Sequence, residues 1–156
     1  MENNAQLIKD VQDAIHWKPL LGNEKIEVNA ENGVVSLSGV VDSYVKKVDA
    51  EKSASKVAGV NGLVGNIEVV FPDSLYKTNI ELAQESIAFL NASDNVPHDK
   101  IKVKVEDGWV TLDGEVYQPW EKEAAFEAVH YISGIKGITN NIKLIEYKPI
   151  ELNSYT

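Results

Sequence analysis

Three histidines are the first side chains of this sequence to consider for metal binding or acid–base catalysis. His16, His98 and His130 have no HxH or HExxH spacing, the patterns that bring two imidazoles to one metal ion. They also occupy non-equivalent places in the repeat described below, and we interpret them as surface histidines. The absence of cysteine excludes disulfides, thiolate metal sites and a cysteine nucleophile. No metal site, cofactor or catalytic residue is therefore predicted, and we do not expect an enzyme.

A group of glutamates and two pairs of glycines could also take part in chemistry. Glu121, Glu123 and Glu127 are close enough in sequence for acid–base work, but a solvated helix face accounts for them more simply. The pairs Gly59-x-x-Gly62 and Gly134-x-x-Gly137 resemble phosphate-binding turns. Because they follow helices instead of preceding them, the helix dipole has the wrong sign for an anion, and we interpret these glycines as caps.

The charge and hydropathy of the chain limit its partners. It has 24 acidic residues, 15 lysines and no arginine, for a net charge of −9. A nucleic-acid site needs basic residues against phosphates and arginines against bases, so DNA or RNA binding is not expected. No apolar run approaches the ~20 residues of a membrane span, and the N-terminus lacks a basic segment followed by an apolar one. We expect a cytoplasmic protein without a transmembrane segment, for which peripheral membrane association remains open.

The chain repeats itself with an offset of 75 residues, which places residues 26–33 over residues 101–108. Each copy begins with a helical apolar pattern, continues through a hairpin, and ends with a second helix and a strand. We therefore predict an α+β fold of two tandem α-β-β-α-β modules, each a three-stranded mixed sheet with two helices packed on one face. The predicted modules are residues 1–72 and 78–146, followed by a C-terminal tail at 147–156.

The first helix of each module is predicted from apolar residues spaced three and four apart. These stripes are Leu7, Ile8, Val11 and Ile15 in the first module, and Ile80, Ala83, Ile87 and Leu90 in the second. Aligning Ile15 with Ile87 changes the offset to 72. The second module is accordingly predicted to contain three extra residues before its first strand, within residues 91–100.

Turn residues set the register of both hairpins. Asn32-Gly33 and Asp107-Gly108 are dipeptides favoured where both central residues of a turn need a positive φ. A two-residue loop pairs Ile26 with Gly39 and Ile101 with Gly114, which puts the apolar residues of each hairpin on one face. Beyond the hairpins, Ser43 is predicted to cap the second helix of the first module. Gly59 and Gly134 are predicted to end the second helices.

Val34 and Trp109 are the apolar exceptions on the sheet face that carries polar residues elsewhere. They occupy equivalent positions beside the two hairpin turns. Two interpretations remain open: they contact the other module or a partner, or they cover neighbouring side chains.

The second helices of the two modules differ in charge. The first carries Lys46, Lys47, Lys52 and Lys56, whereas the second carries Glu121, Glu123 and Glu127. One hypothesis is that the basic helix docks on anionic lipid headgroups, at about 1 kcal/mol per lysine. Another is that the two helices are complementary surfaces for self-association or for a protein partner. A third interpretation is that both are ordinary solvated faces.

Residues 31–41 and 106–116, each followed by a helix and then by Gly-Val-Asn-Gly or Gly-Ile-Lys-Gly, resemble the BON domain. This family is named for bacterial osmotically inducible and nodulation proteins. The resemblance implies stress or envelope physiology, with phospholipid binding proposed as the molecular role and no known catalysis. Well-known members are exported, whereas this sequence looks more like the cytoplasmic tandem members. One such relative is associated with potassium binding, so an ion sensor is a further alternative.

Overall fold

The computed structural model of the chain describes residues 4–146, and the tail predicted at 147–156 lies outside this range. Within the described range the chain divides into two compact units, residues 4–77 with 133–136 and residues 78–132 with 137–146, and each is described on its own. Among the helices described, none is long and apolar enough to cross a membrane.

The first unit contains the predicted α-β-β-α-β order. The strands form one sheet in the order β1-β2-β3, with β1 antiparallel to β2 and β3 parallel to β2. Its elements are α1 (Asn4–His16), β1 (Ile26–Glu31), β2 (Val34–Val41), α2 (Tyr44–Ser55) and β3 (Gly62–Val69). The return from β2 to a parallel β3 requires a crossover, and α2 supplies it.

The core of the first unit lies between the sheet and its two helices. Helix α1 buries an apolar stripe repeating every four residues, Leu7, Val11 and Ile15, and it packs against β1 and α2. Helix α2 contributes Ala50 and Ala54, both fully buried. Because these alanines are small, α2 comes close to its neighbours while its charged side chains stay at the edges.

Both hairpins have the predicted register. Ile26 pairs with Gly39 in the first, and Ile101 pairs with Gly114 in the second. The central turn residues have positive φ as expected, 51° at Asn32 and 49° at Asp107. The alternation of apolar and polar residues and the turn chemistry therefore agree with the observed pairing.

The second unit repeats the architecture, with its last strand in two pieces. Strand β5 pairs antiparallel with β4 and parallel with both β6 and β7. The elements are α3 (Asn79–Ala92), β4 (Ile101–Glu106), β5 (Trp109–Val116), α4 (Pro119–His130), β6 (Gly137–Asn140) and β7 (Lys143–Leu144). Ile142 lies between β6 and β7 and is buried in the core. The predicted α+β fold is thus confirmed in both modules.

The predicted apolar stripe of α3 is wrong in two of its four positions and incomplete in a third. Ile80 and Ile87 are exposed, Ala83 is half-buried, and only Leu90 is in the core. The buried face is instead Leu82, Ser86 and Leu90, which stand 75 residues after Leu7, Val11 and Ile15. One offset of 75 therefore holds from the first helix to the first strand, and the three-residue insertion is absent. Ser86 is tolerated in the core because its hydroxyl donates to the Leu82 carbonyl at 2.7 Å.

The second helices begin differently from one another, and they end at Ser55 and His130, short of the glycines predicted to end them. Ser43 stands at the N-cap of α2, but among the described residues its side chain makes no capping hydrogen bond. Pro119 is the first residue of α4, where its missing N–H leaves nothing unsatisfied. The Glu121 carboxylate accepts a hydrogen bond from the Gln118 backbone N–H at 3.0 Å and so secures the start of α4.

Candidate binding grooves between the helices of each module

The lysines of α2 do not form one uniform basic face. Lys46 is mostly buried, and its Nζ lies 2.6 Å from Glu24 Oε1 and 2.9 Å from Asp42 Oδ1. The hydrogen bond to Glu24, followed by that to Asp42, raises the pKa of Lys46 above its ordinary value. This lysine, proposed from the sequence to face lipid or a partner, is thus held in an ion-pair network within the first module.

The other lysines of α2 separate into an inner one and an outer pair. Lys47 is half-buried beside Glu51, whose pKa is raised by burial and lowered in part by the Lys47 charge. Lys52 and Lys56 are exposed, near the C-terminal end of the helix. Only this outer pair stands where a large surface could approach it.

An open groove lies between α1 and α2, and we call it the first groove. The residues that line it are Asp10, Asp13, Ala14, Trp17, Lys18, Ser53 and Lys56. Trp17 continues the last turn of α1, with its N–H donating to the Asp13 carbonyl at 2.9 Å. Its side chain is 87% exposed, the largest exposed fraction among the large apolar residues of the described chain. Lys18 follows Trp17 in the chain and Lys56 lines the same groove, so the groove combines an aromatic ring with two ammonium groups and with the carboxylates of Asp10 and Asp13.

A buried hydroxyl lies in the wall of the first groove. Ser53 is 6% exposed, and within residues 4–146 its Oγ has no hydrogen-bond partner. Burying a hydroxyl without a partner costs roughly 1–3 kcal/mol. The equivalent residue of the second module, 75 positions later, is Ala128.

A second groove, between α3 and α4, occupies the equivalent place in the second module. Phe89 and Trp120 are its large apolar residues, 44% and 55% exposed. Its full lining is Phe89, Ala92, Ser93, Asn95, Trp120, Glu123, Ala124, Glu127 and Ala128. Glu123 and Glu127, interpreted from sequence as a solvated helix face, therefore stand at the edge of an apolar depression.

The offset of 75 shows how the two grooves differ. Trp17 of the first groove corresponds to Ala92 of the second, and Phe89 of the second corresponds to Ala14 of the first. An aromatic residue thus stands over one groove where the other has a small residue. The sequence patterns did not identify Trp17 or Phe89 as groove residues. An apolar residue outside the buried stripe of a helix can be recognised as exposed only when the buried face is known.

Val34 and Trp109 both lie on the outer faces of their sheets, each exposed by less than half. Val34 is opposite Gly62 in the parallel ladder, and Trp109 is opposite Gly137. The Trp109 indole N–H donates to Thr139 Oγ1 at 2.7 Å, and the ring lies so close over Gly137 that a Cβ there would meet it at 2.5 Å. Trp109 therefore covers its own sheet. Val34 does not press on Gly62 in the same way, because a Cβ at Gly62 would lie 3.5 Å from Val34 Cγ2, an ordinary van der Waals contact.

The glycines predicted as turns and caps take three kinds of position. Gly33, Gly108, Gly59 and Gly134 have φ between 80° and 96°, in the hairpin turns and after the second helices. Gly39 and Gly114 have φ of 145° and 149°, and a Cβ at Gly39 would lie 2.7 Å from the Lys25 carbonyl oxygen. Gly62 and Gly137 instead begin β3 and β6. Their place is in the sheet ladder, so the cap interpretation does not describe their geometry.

The side chains considered first for chemistry are dispersed. His16 and His98 are exposed, as interpreted from sequence, but His130 is 5% exposed, which corrects that interpretation. Its Nδ1 donates to the Glu127 carbonyl at 3.0 Å, and its ring stacks on Phe126. Across residues 4–146, no three histidine or acidic side chains cluster as a metal site would require.

Comparisons with known proteins agree with the repeat. The BON domain family matches residues 3–70 and again residues 81–146. Osmotically-inducible protein Y of Escherichia coli strain K12 is 31% identical over 122 residues, a match that covers 76% of this chain and 61% of that protein. The chain thus spans less than two thirds of the length of this relative.

Two solved structures of CdsD, a structural protein of the type III secretion system of Chlamydia trachomatis, also align with the chain. Their TM-scores are 0.40 and 0.38, with 12% and 13% sequence identity. Each alignment covers 92% of this chain, and 94% and 100% of the respective solved chains. At these TM-scores the similarity carries no inference about function.

Proposed function

Because this chain belongs to the BON domain family, we propose that it is a non-catalytic binding protein of osmotic-stress or envelope physiology. Two BON matches together account for most of the chain, and the relative from Escherichia coli is named for osmotic induction. We propose further that its ligand is the surface of an anionic phospholipid membrane, which the first module contacts through the Trp17 edge of the first groove.

The observation that carries this proposal is the highly exposed Trp17 ring in a groove that two lysines also line. Tryptophan is favoured at membrane–water interfaces, where its ring reaches the headgroup level and its N–H remains hydrated. Lys18 and Lys56 line the same groove, and Lys52 is exposed on α2. Each lysine near an anionic surface contributes about 1 kcal/mol. One aromatic ring and three ammonium groups together resemble an interfacial contact more than an ordinary solvated helix face.

The net charge of the chain opposes this contact, but it is unevenly distributed. Residues 1–77 contain eight lysines and eleven acidic residues, whereas residues 78–156 contain seven lysines and thirteen acidic residues. At physiological salt, charges beyond about 8 Å are largely screened. The local charge near Trp17 therefore comes from Lys18 and Lys56 together with Asp10 and Asp13, and Asp13 is paired with Lys9.

The surroundings of the reactive side chains support the proposal that the protein is not a catalyst. His130 is buried and already bonded to the backbone, and Glu121 accepts a hydrogen bond at the start of its own helix. The pKa shifts resolved for Lys46 and Glu51 belong to a structural ion-pair network and to a partly buried carboxylate. Neither arrangement places a nucleophile beside a base in a cleft.

Co-sedimentation of the intact chain with anionic and neutral vesicles tests the proposal. We expect binding to anionic vesicles only, and weaker binding as salt increases. Replacing Lys52 and Lys56 by glutamate removes two lysines from the contact. Because each contributes about 1 kcal/mol, we expect the vesicle partition constant to fall about 30-fold or more. K102E/K104E makes the same charge change on β4 of the second module, and we expect it to bind nearly as the unmodified chain does. Equal loss in the two double variants would contradict a contact through the first module.

A further inference from the structure

The two grooves are complementary in shape and in charge, and we propose that the first groove of one molecule docks on the second groove of another copy of this chain. Each groove lies within one module, between the two helices that cover its sheet. The proposed occupant of the α3–α4 groove is Trp17 of the second copy. This self-association does not depend on lipid binding.

Shape complementarity follows from the exchange of large and small residues at equivalent positions. Trp17 protrudes from the first module, and the residue at its equivalent position in the second groove is Ala92. Phe89 and Trp120 stand partly exposed in the lining of that groove, so an incoming indole would meet aromatic rings. A buried Trp covers about 150–250 Å², and aromatic pairs gain energy beyond that burial.

Charge complementarity lies at the edges of the same grooves. Lys18 and Lys56 line the groove that carries Trp17, while Glu123 and Glu127 line the depression that would receive it. Asp10 and Asp13 also line the first groove, and Asp13 is paired with Lys9 at 3.4 Å. Pairs of opposite charge at the edge of an apolar contact select the partner and its orientation more than they add affinity.

An exposed aromatic side chain on α3 supports a covered surface on this side of the second module. Phe89 lines the groove and is 44% exposed. Its equivalent in the first module is Ala14. The second module thus presents a large apolar residue where its sibling presents a small one, which is typical of a surface that another protein covers.

Sedimentation of the intact chain over a wide range of concentrations, without lipid, tests the proposal. We expect reversible association that W17A weakens at least tenfold, because the ring that fills the groove is lost. Y76A is the matched control, since it removes another highly exposed aromatic residue of the first unit outside the groove. An unmodified chain that is monomeric at every concentration would overturn the inference and leave the vesicle result unaffected.

Charge reversal distinguishes this contact from other modes of association. K18E/K56E and E123K/E127K should each associate at least tenfold more weakly than the unmodified chain, and mixing the two variants should restore association. D99K/E146K is matched to E123K/E127K in net charge but lies outside the groove, so it should associate at least as well as the unmodified chain. Failure of the mixture to associate, or equal weakening in D99K/E146K, would overturn the proposed contact. E123K/E127K should retain vesicle binding, which separates this surface from the lipid-binding one.

Discussion

Single residues of this protein acquire their roles from neighbours that are distant in the sequence. Lys46 appears in the sequence as one of four lysines on a helix, and its partner Glu24 is 22 residues away. His130 is similar, because its burial depends on how α4 packs and not on its own polarity. Sequence patterns could predict the turns, whose chemistry is local, but not the Lys46–Glu24 pair or the burial of His130, which the tertiary fold creates.

Gly137 and Gly62 provide a matched test of packing at the residue scale. Gly137→Ala places a methyl group against the Trp109 ring, so the ring must shift, which disturbs its hydrogen bond to Thr139. We expect a loss of about 1–3 kcal/mol in the free energy of unfolding, as overpacked sites show. Gly62→Ala meets Val34 at an ordinary 3.5 Å. It should change stability by less than about 0.5 kcal/mol.

Chemical denaturation and the indole N–H resonance of Trp109 measure these two effects separately. The resonance should shift in Gly137→Ala and remain in place in Gly62→Ala. If both variants are equally stable and neither moves the resonance, Trp109 does not lie over Gly137 as described.

At the scale of the element, α3 shows where periodicity alone misleads. Its apolar residues are numerous enough to support two helical stripes, and the wrong one contains more β-branched residues. The correct stripe includes Ser86, a polar residue that remains in the core by bonding within its own helix. The strands had no such ambiguity, because one-residue slips move every side chain to the opposite face.

Ile80→Ala and Leu82→Ala distinguish the two stripes of α3. Leu82 is fully buried, so its truncation should cost about 2–5 kcal/mol. Ile80 is 71% exposed, and its truncation should cost less than about 0.5 kcal/mol. Thermal and denaturant unfolding of both variants measures the difference. A larger loss for Ile80→Ala would restore the stripe predicted from sequence.

At the scale of the whole molecule, the two modules share one backbone plan and diverge on their helical surfaces. From the first helix onward, equivalent residues of the two modules are 75 positions apart. This constant offset is expected, because the shared fold constrains the glycines and the core residues. Surface residues have no such constraint, so Trp17 and Phe89 have no counterpart of similar size. The fold could therefore be predicted from the repeat, whereas the grooves became visible only when the helices were placed. The cytoplasmic location stays a prediction, as does an ion-sensing role.

The most direct measurement of the central claim is the environment of Trp17 on a membrane. In a W109F/W120F variant, Trp17 is the remaining tryptophan of the three in the sequence. On anionic vesicles its emission should shift to shorter wavelength and be quenched by brominated acyl chains, because the ring enters the interface. Neutral vesicles should change neither property. A chain that binds anionic vesicles while the Trp17 emission stays unchanged would contradict the proposed lipid contact, and so would a chain that binds none.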